Sequence, residues 1–336
     1  MEQVNSSQKQ IEPEFEGLPS LCKEESKQKR KNNRGRLRNL KCKAISMPVD
    51  KIGDNKLNMN RYIISDHYYV FEKLGIGAYS EVRRAVSRDT EQVVAIKIAR
   101  GTTSAKYLKN EAEIMKLIQS EHLPKFYMFA HDQITKKAYL AMEYIEGKTL
   151  DQYVNENGVL TEEEANLLIV KLINAVETLH KHGIAHRDIK PQNIIITNDK
   201  DLKLIDLNIS KRFKKNSVDE SLEDSQGDAS KSDKFHFFTQ ISSPMYAAPE
   251  ILSFNCYTES IDIWGIGIAY AEMLFKLSEL FNIDKDIKEA KNISAILDDI
   301  DSVKHLSEDT LSKLKSMCSK DPEERPDIFE VSELFK

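Results

Sequence analysis

The chain has 336 residues, is 40% hydrophobic, 31% charged and 8% aromatic, and carries a formal net charge of −5. That composition gives room for a sizeable core and excludes a collagen-like or wholly disordered chain. The mild acidity argues against a generic nucleic-acid binder.

Four scattered cysteines, Cys22, Cys42, Cys256 and Cys318, form no paired spacing for zinc or a disulfide framework, a usage suited to a reducing compartment. The N-terminus lacks the apolar core of a signal peptide. The apolar stretch from Ile261 to Leu277 is too short and too polar to span a bilayer. The expected location is cytoplasmic, nuclear or both. Residues 1–64 are polar, and Lys23 to Lys43 holds ten Lys/Arg against two Glu. This predicts a disordered basic extension, compatible with a solvated linker, a nuclear-import signal or a segment for acidic partners. A folded domain is expected over 65–336.

Residues 68–75 and 82–87 read as strands flanking Gly75-Ile-Gly77-Ala-Tyr-Ser80-Glu-Val82. Glycines here let backbone approach phosphate oxygens. An ordinary hairpin is equally compatible, and the lack of a following lysine excludes a Walker-type loop. Next, Val93 to Ala99 is a β-branched run interrupted by Lys97. A lysine inside such a strand needs its charge paired. The helix predicted over 105–120 offers Glu111 and Glu113. Glu111 shares a face with Leu108 and Met115 at intervals of three and four and so points inward; Glu113 points to solvent.

An amphipathic helix over 163–180 stops near Gly183, before His186-Arg187-Asp188-Ile189-Lys190-Pro191-Gln192-Asn193 and the apolar run Ile194-Ile195-Ile196. So many polar groups beside a buried strand suit phosphoryl transfer. Asp188 can accept a hydroxyl hydrogen, Lys190 can neutralise a moving phosphoryl group, and Asn193 can ligate Mg²⁺. Asp206, at the tip of Leu202-Lys203-Leu204-Ile205, is either a hard-metal ligand or the start of a turn. Further helices are expected over 307–319 and from Asp327 to about Phe335.

These pieces, with Ala248-Pro249-Glu250, Asp262-Ile-Trp264-Gly265 and Arg325, stand in an order that resembles the eukaryotic protein kinase family across residues 68–336. The resemblance implies an α+β, two-lobed protein-kinase-like fold. A small β-rich N-lobe would cover about 65–142 and a larger, mainly helical C-lobe about 146–336. It implies ATP and Mg²⁺ as cofactors, with Mn²⁺ as a possible substitute. Adenine would lie against the connecting Met142, Glu143 and Ile145, lined by Val82, Ala95 and Ile195, with phosphates under Gly75 and Gly77 and beside Lys97. Asn193 and Asp206 would hold the metal. Asp188, Lys190, Lys97 and Glu111 would be the catalytic set. Arg187 would receive an activation-segment phosphate, and Asp262, Glu250 and Arg325 would be structural.

Lys190 and Ser243 resemble the serine/threonine branch, with Ser243 positioning substrate. Protein substrates follow, as does an upstream kinase or autophosphorylation acting at Thr239 or Ser242. A scaffold with impaired catalysis and a dual-specificity enzyme are the competing readings; Lys97, Asp188, Asn193 and Asp206 favour activity. Gln192 and Thr149 lack the carboxylates by which basophilic relatives read arginine. The activation segment, 206–250, is unusual in two ways. It carries an acidic, serine-rich insert over 217–233, and Asn208 stands where the family has glycine, which should restrict a flip of that segment.

Overall fold

A computed structural model of the chain describes residues 64–132, 137–213, 246–252, 257–277, 293–298 and 304–336. The basic tail before Ile64, the insert 217–233, and Thr239, Ser242 and Ser243 lie outside the described residues.

A single turn, α1 (Ile64–His67), leads into β1 (Tyr68–Ile76), β2 (Ser80–Ser87) and β3 (Val93–Ala99), then α2 (Thr102–Leu117), β4 (Phe126–His131) and β5 (Ala138–Glu143). The five strands form one antiparallel sheet in the order β1-β2-β3-β5-β4. β3 is central and almost wholly buried, as its β-branched composition requires. Ile64, which the sequence pattern leaves in the tail, is 2% exposed and joins the core on one face of this sheet with Val70, Ala85, Val94 and Ile96.

The second lobe is mainly helical. A short β6 (Gly147–Thr149) opens onto α3 (Leu150–Asn157), then α4 (Glu162–Lys181) and β7 (Ile184–Ala185) follow. α4 starts where a capping box of Thr161 and Glu164 satisfies its first amides, and it ends just before Gly183, whose φ is 66°. A 3₁₀ turn over Pro191–Asn193 precedes β8 (Ile194–Thr197), β9 (Leu202–Leu204) and β10 (Lys211–Arg212). Beyond them lie α5 (Pro249–Leu252), α6 (Ser260–Phe275), α7 (Ile293–Asp298), α8 (Glu308–Met317) and α9 (Ile328–Leu334).

α6 is apolar all round and buried along nearly its whole length, so it forms the centre of this lobe rather than an amphipathic face. α4 packs on it and α8 beside it. None of the described helices is long and apolar enough to cross a membrane. The fold is thus the two-lobed arrangement of a β-rich lobe and a mainly helical lobe.

Gly265 of α6 allows the loop at Ile189 to lie directly on the helix. A Cβ at Gly265 would stand 2.6 Å from Ile189 Cβ and 2.9 Å from Ile189 O. Gly265→Ala should therefore destabilise the fold by about 1–3 kcal/mol, the usual effect of overpacking, despite alanine's better helix propensity. A thermal midpoint at or above that of the wild type would show that the loop can move aside freely.

Candidate active site

Lys97 lies on the central strand, and α2 brings Glu111 to it. The Lys97 ammonium donates to Glu111 Oε2 at 2.8 Å and Oε1 at 3.0 Å, and to Asp206 Oδ1 at 2.7 Å. Glu111 is 1% exposed, beside buried Leu108 and Met115, while Glu113 is exposed and paired with Lys109. Burial alone would lower the Lys97 pKa; the charges of Asp206 and Glu111 outweigh it and raise it above the ordinary lysine range. Burial likewise works to raise Asp206, but the neighbouring Lys97 charge holds it below the usual carboxylate value. The group thus keeps an ammonium and a carboxylate charged where phosphate and metal would meet.

The glycine hairpin between β1 and β2 closes with Gly77 N–H donating to Ser80 O at 2.8 Å. A Cβ at Gly75 would meet nothing within 4 Å, so the space in front of that backbone is open. Val82 sits opposite Gly75 on one side and Lys97 on the other. Ala95 pairs with Met142, and Ile195 with Thr149. Glu143 is held by Lys203 at 3.2 Å and accepts the Lys125 amide at 3.1 Å, which fixes the start of the segment leading to Ile145.

The loop 186–193 brings the remaining polar groups together. Lys190 Nζ donates to both Asp188 oxygens at 2.8 and 2.9 Å. Asn193 Nδ2 donates to Asp188 O and to Asp188 Oδ2, each at 2.8 Å. That commits the amide nitrogen to Asp188 and leaves Asn193 Oδ1 as the end with metal-ligand chemistry. Ile205 N–H donates to Asn193 O at 2.8 Å, so Asn193 and Asp206 are neighbours through the β8–β9 hairpin. One carboxylate and one amide oxygen suit Mg²⁺, which keeps few protein ligands and takes the rest from phosphates and water.

Asp262, 0% exposed, accepts the backbone N–H groups of His186 and Arg187, each at 2.7 Å. Arg325 makes a bidentate pair with Glu250 at 2.7 and 2.8 Å. Leu207 is buried in the same core as Met115, with Phe126 packed on its edge. The left-handed backbone of this segment is at Asp206, φ 71°, and Asn208 has no positive φ. Asparagine at 208 is therefore unstrained in this conformation.

Several contributors carry no motif. Asp151 Oδ1 accepts from Thr149 Oγ1 at 2.5 Å, and its Oδ2 accepts from Gln192 Nε2 at 3.2 Å. A carboxylate thus stands beside the two positions that lack one in sequence. Glu272 on α6 is 0% exposed, and its Oε2 accepts the Leu277 amide at 3.0 Å. Its Oε1 finds no partner among the described residues. The Tyr257 hydroxyl accepts from Arg187 Nη2. Asp151 and Gln192 are 41 residues apart and Tyr257 and Arg187 are 70 apart, so no local signal announces either contact.

The chain matches the family described as protein kinase domain over residues 68–334. It is 31% identical over 279 residues to hormonally up-regulated neu tumor-associated kinase homolog A of Xenopus laevis, covering 78% of this chain and 36% of that protein. It is 32% identical over 206 residues to maternal embryonic leucine zipper kinase of Xenopus laevis, covering 60% and 29%. A "Probable myosin light chain kinase" of Dictyostelium discoideum is 30% identical over 285 residues, covering 81% and 76%. The aligned region spans about a third of the first two relatives.

Burial pushes the Glu272 carboxyl up to about 7, with the Asp151 charge adding to it and the Leu277 amide and Lys276 opposing. A carboxyl whose folded pKa exceeds its unfolded value contributes stability at low pH and loses it as pH rises through the folded pKa. Replacing Glu272 by Gln should therefore become progressively more favourable between about pH 4.5 and above pH 7. Urea unfolding of both proteins across that range measures it; a stability difference that does not change with pH would contradict it.

Proposed function

Because the chain belongs to the protein kinase domain family, we propose that it transfers the γ-phosphate of ATP to serine or threonine hydroxyls of protein substrates. The observation that carries this is the pairing of two charge constellations. Lys97 is within 3.0 Å of both Glu111 and Asp206. Asp188 is fastened to Lys190 and Asn193 in the adjoining loop.

In this reading Asp188 accepts the hydrogen of the substrate hydroxyl as its oxygen bonds to the γ-phosphorus. The bond from that phosphorus to the bridging oxygen breaks, and ADP keeps the electron pair. Lys190 offsets charge on the phosphoryl group in transit. Lys97, held by Glu111, orients the remaining phosphates. Mg²⁺, held by Asp206 and Asn193, would neutralise the phosphate oxygens when bound. Gly75 and Gly77 cover the phosphates; Val82, Ala95, Met142 and Ile195 enclose the base, with Glu143 and Ile145 along its edge. Lys190 supports serine/threonine over tyrosine, and Ser243 would position the acceptor. Phosphate on Thr239 or Ser242 would reach Arg187 through charge-assisted hydrogen bonds.

The test is phosphorylation of a positional peptide library with Mg²⁺ and ATP, with Asp188→Asn as the control. Serine and threonine peptides should be phosphorylated well above tyrosine peptides. D188N should be slower by at least about 100-fold, the scale of a lost proton acceptor. Phosphotransfer that persists undiminished in D188N would overturn the mechanism.

A further inference from the structure

Arg187 is tied at both ends to one short stretch, Tyr257 to Asp262. Its backbone N–H donates to Asp262 Oδ1 at 2.7 Å. Its side chain donates through Nη2 to the Tyr257 hydroxyl and through Nη1 to Ile209 O at 3.1 Å. The guanidinium carbon lies 5.4 Å from the centre of the Tyr257 ring. Tyr257 itself is 4% exposed and belongs to the large core with Tyr246, Ile261 and Trp264. The hydroxyl that meets Arg187 is therefore held by a rigid support, not by a surface side chain.

This fastening matters because Arg187 has φ 72°. A left-handed conformation costs a bulky residue about 1–3 kcal/mol and persists only where its surroundings over-determine it. Asp188 is the next residue, so the direction of its carboxylate depends on the conformation of Arg187. Lys211 stands close by on β10, its pKa lowered by burial and by the Arg187 charge. The guanidinium has the Tyr257 hydroxyl and the Ile209 carbonyl in contact with it.

We propose that Tyr257 is a positioning residue: its hydroxyl holds Arg187, and through it Asp188, in the catalytic arrangement without an activation-segment phosphate. Phosphorylation then tunes activity rather than switching it on. The inference rests on the phosphotransfer reading for its kinetic arm and on the loop alone for its structural arm.

The experiment uses the full chain, wild type and Tyr257→Phe, each after phosphatase treatment and after incubation with Mg²⁺ and ATP. We expect the wild-type kcat to differ by less than about threefold between the two states, well below the worth of one hydrogen bond to a charged group. Dephosphorylated Y257F should lose at least about tenfold in kcat, the same bond's worth, with KM for ATP little changed and with recovery on phosphorylation. Amide hydrogen exchange of the stretch from His186 to Lys190 should speed up in Y257F by at least about tenfold while α6 keeps its protection.

Wild-type kcat that rises tenfold or more on phosphorylation overturns the proposal without recourse to any variant. So does a Y257F protein with wild-type exchange in the loop. If no state of the wild type transfers phosphate while exchange still responds to Y257F, the positioning role stands and the phosphotransfer reading falls.

Discussion

The rest of the site depends on one buried carboxylate. Asp262 sits in the middle of the mainly helical lobe with no solvent exposure and accepts two consecutive backbone amides of the polar loop and the His180 ring. Burial would raise its pKa, but the hydrogen bond and charge of His180 hold it below the ordinary carboxylate value. A buried ion held by several donors stabilises less than its Coulomb attraction suggests, yet breaking it typically costs about 3–5 kcal/mol. The loop is thereby hung from α6. Gly265 allows Ile189 to rest on the same helix, and Trp264 Nε1 donates to Tyr246 O at 3.2 Å. One helix thus sets the height of Asp188, Lys190 and Asn193 together.

The second constraint joins the lobes. Lys97 comes from the sheet, Glu111 from α2 and Asp206 from the hairpin of the other lobe, and all three meet at hydrogen-bonding distance. Glu111 Oε1 also accepts the Leu207 amide at 3.3 Å, and Asn110 Nδ2 donates to Ser210 O at 2.9 Å. Two consecutive residues of α2 therefore hold the segment after Asp206 at Leu207 and at Ser210. A small rotation of α2 would separate Lys97 from Glu111 and release that segment at the same time. Positioning and electrostatics, rather than covalent chemistry by the protein, are what such a site can supply.

Much of this was legible in the sequence where the signal is local. Helical spacing distinguished Glu111 from Glu113, and β-branched residues on both sides of Lys97 marked the central strand. Helices were legible to within a few residues: α2 spans Thr102–Leu117 where 105–120 was expected, and α8 spans Glu308–Met317 where 307–319 was expected. What the sequence hid depends on distance along the chain. Tyr257 and Arg187 are 70 residues apart, and nothing near either one announces the contact. Asp151 meets Gln192 only because α3 and the 3₁₀ turn are adjacent in space. The left-handed backbone of the segment after β9 falls on Asp206 rather than on Asn208, a distinction that composition does not carry.

The measurement that tests the central dependence most directly is kcat together with ATP affinity for Asp262→Asn. The amide keeps the shape but cannot accept from both backbone N–H groups while facing His180, whereas Lys97 and the glycine hairpin are untouched. The account predicts kcat lower by at least about 100-fold, as expected when a buried charged acceptor is lost, with ATP affinity within about threefold of the wild type. A folded D262N protein with wild-type kcat would contradict it, since the loop would then hold its geometry without the carboxylate.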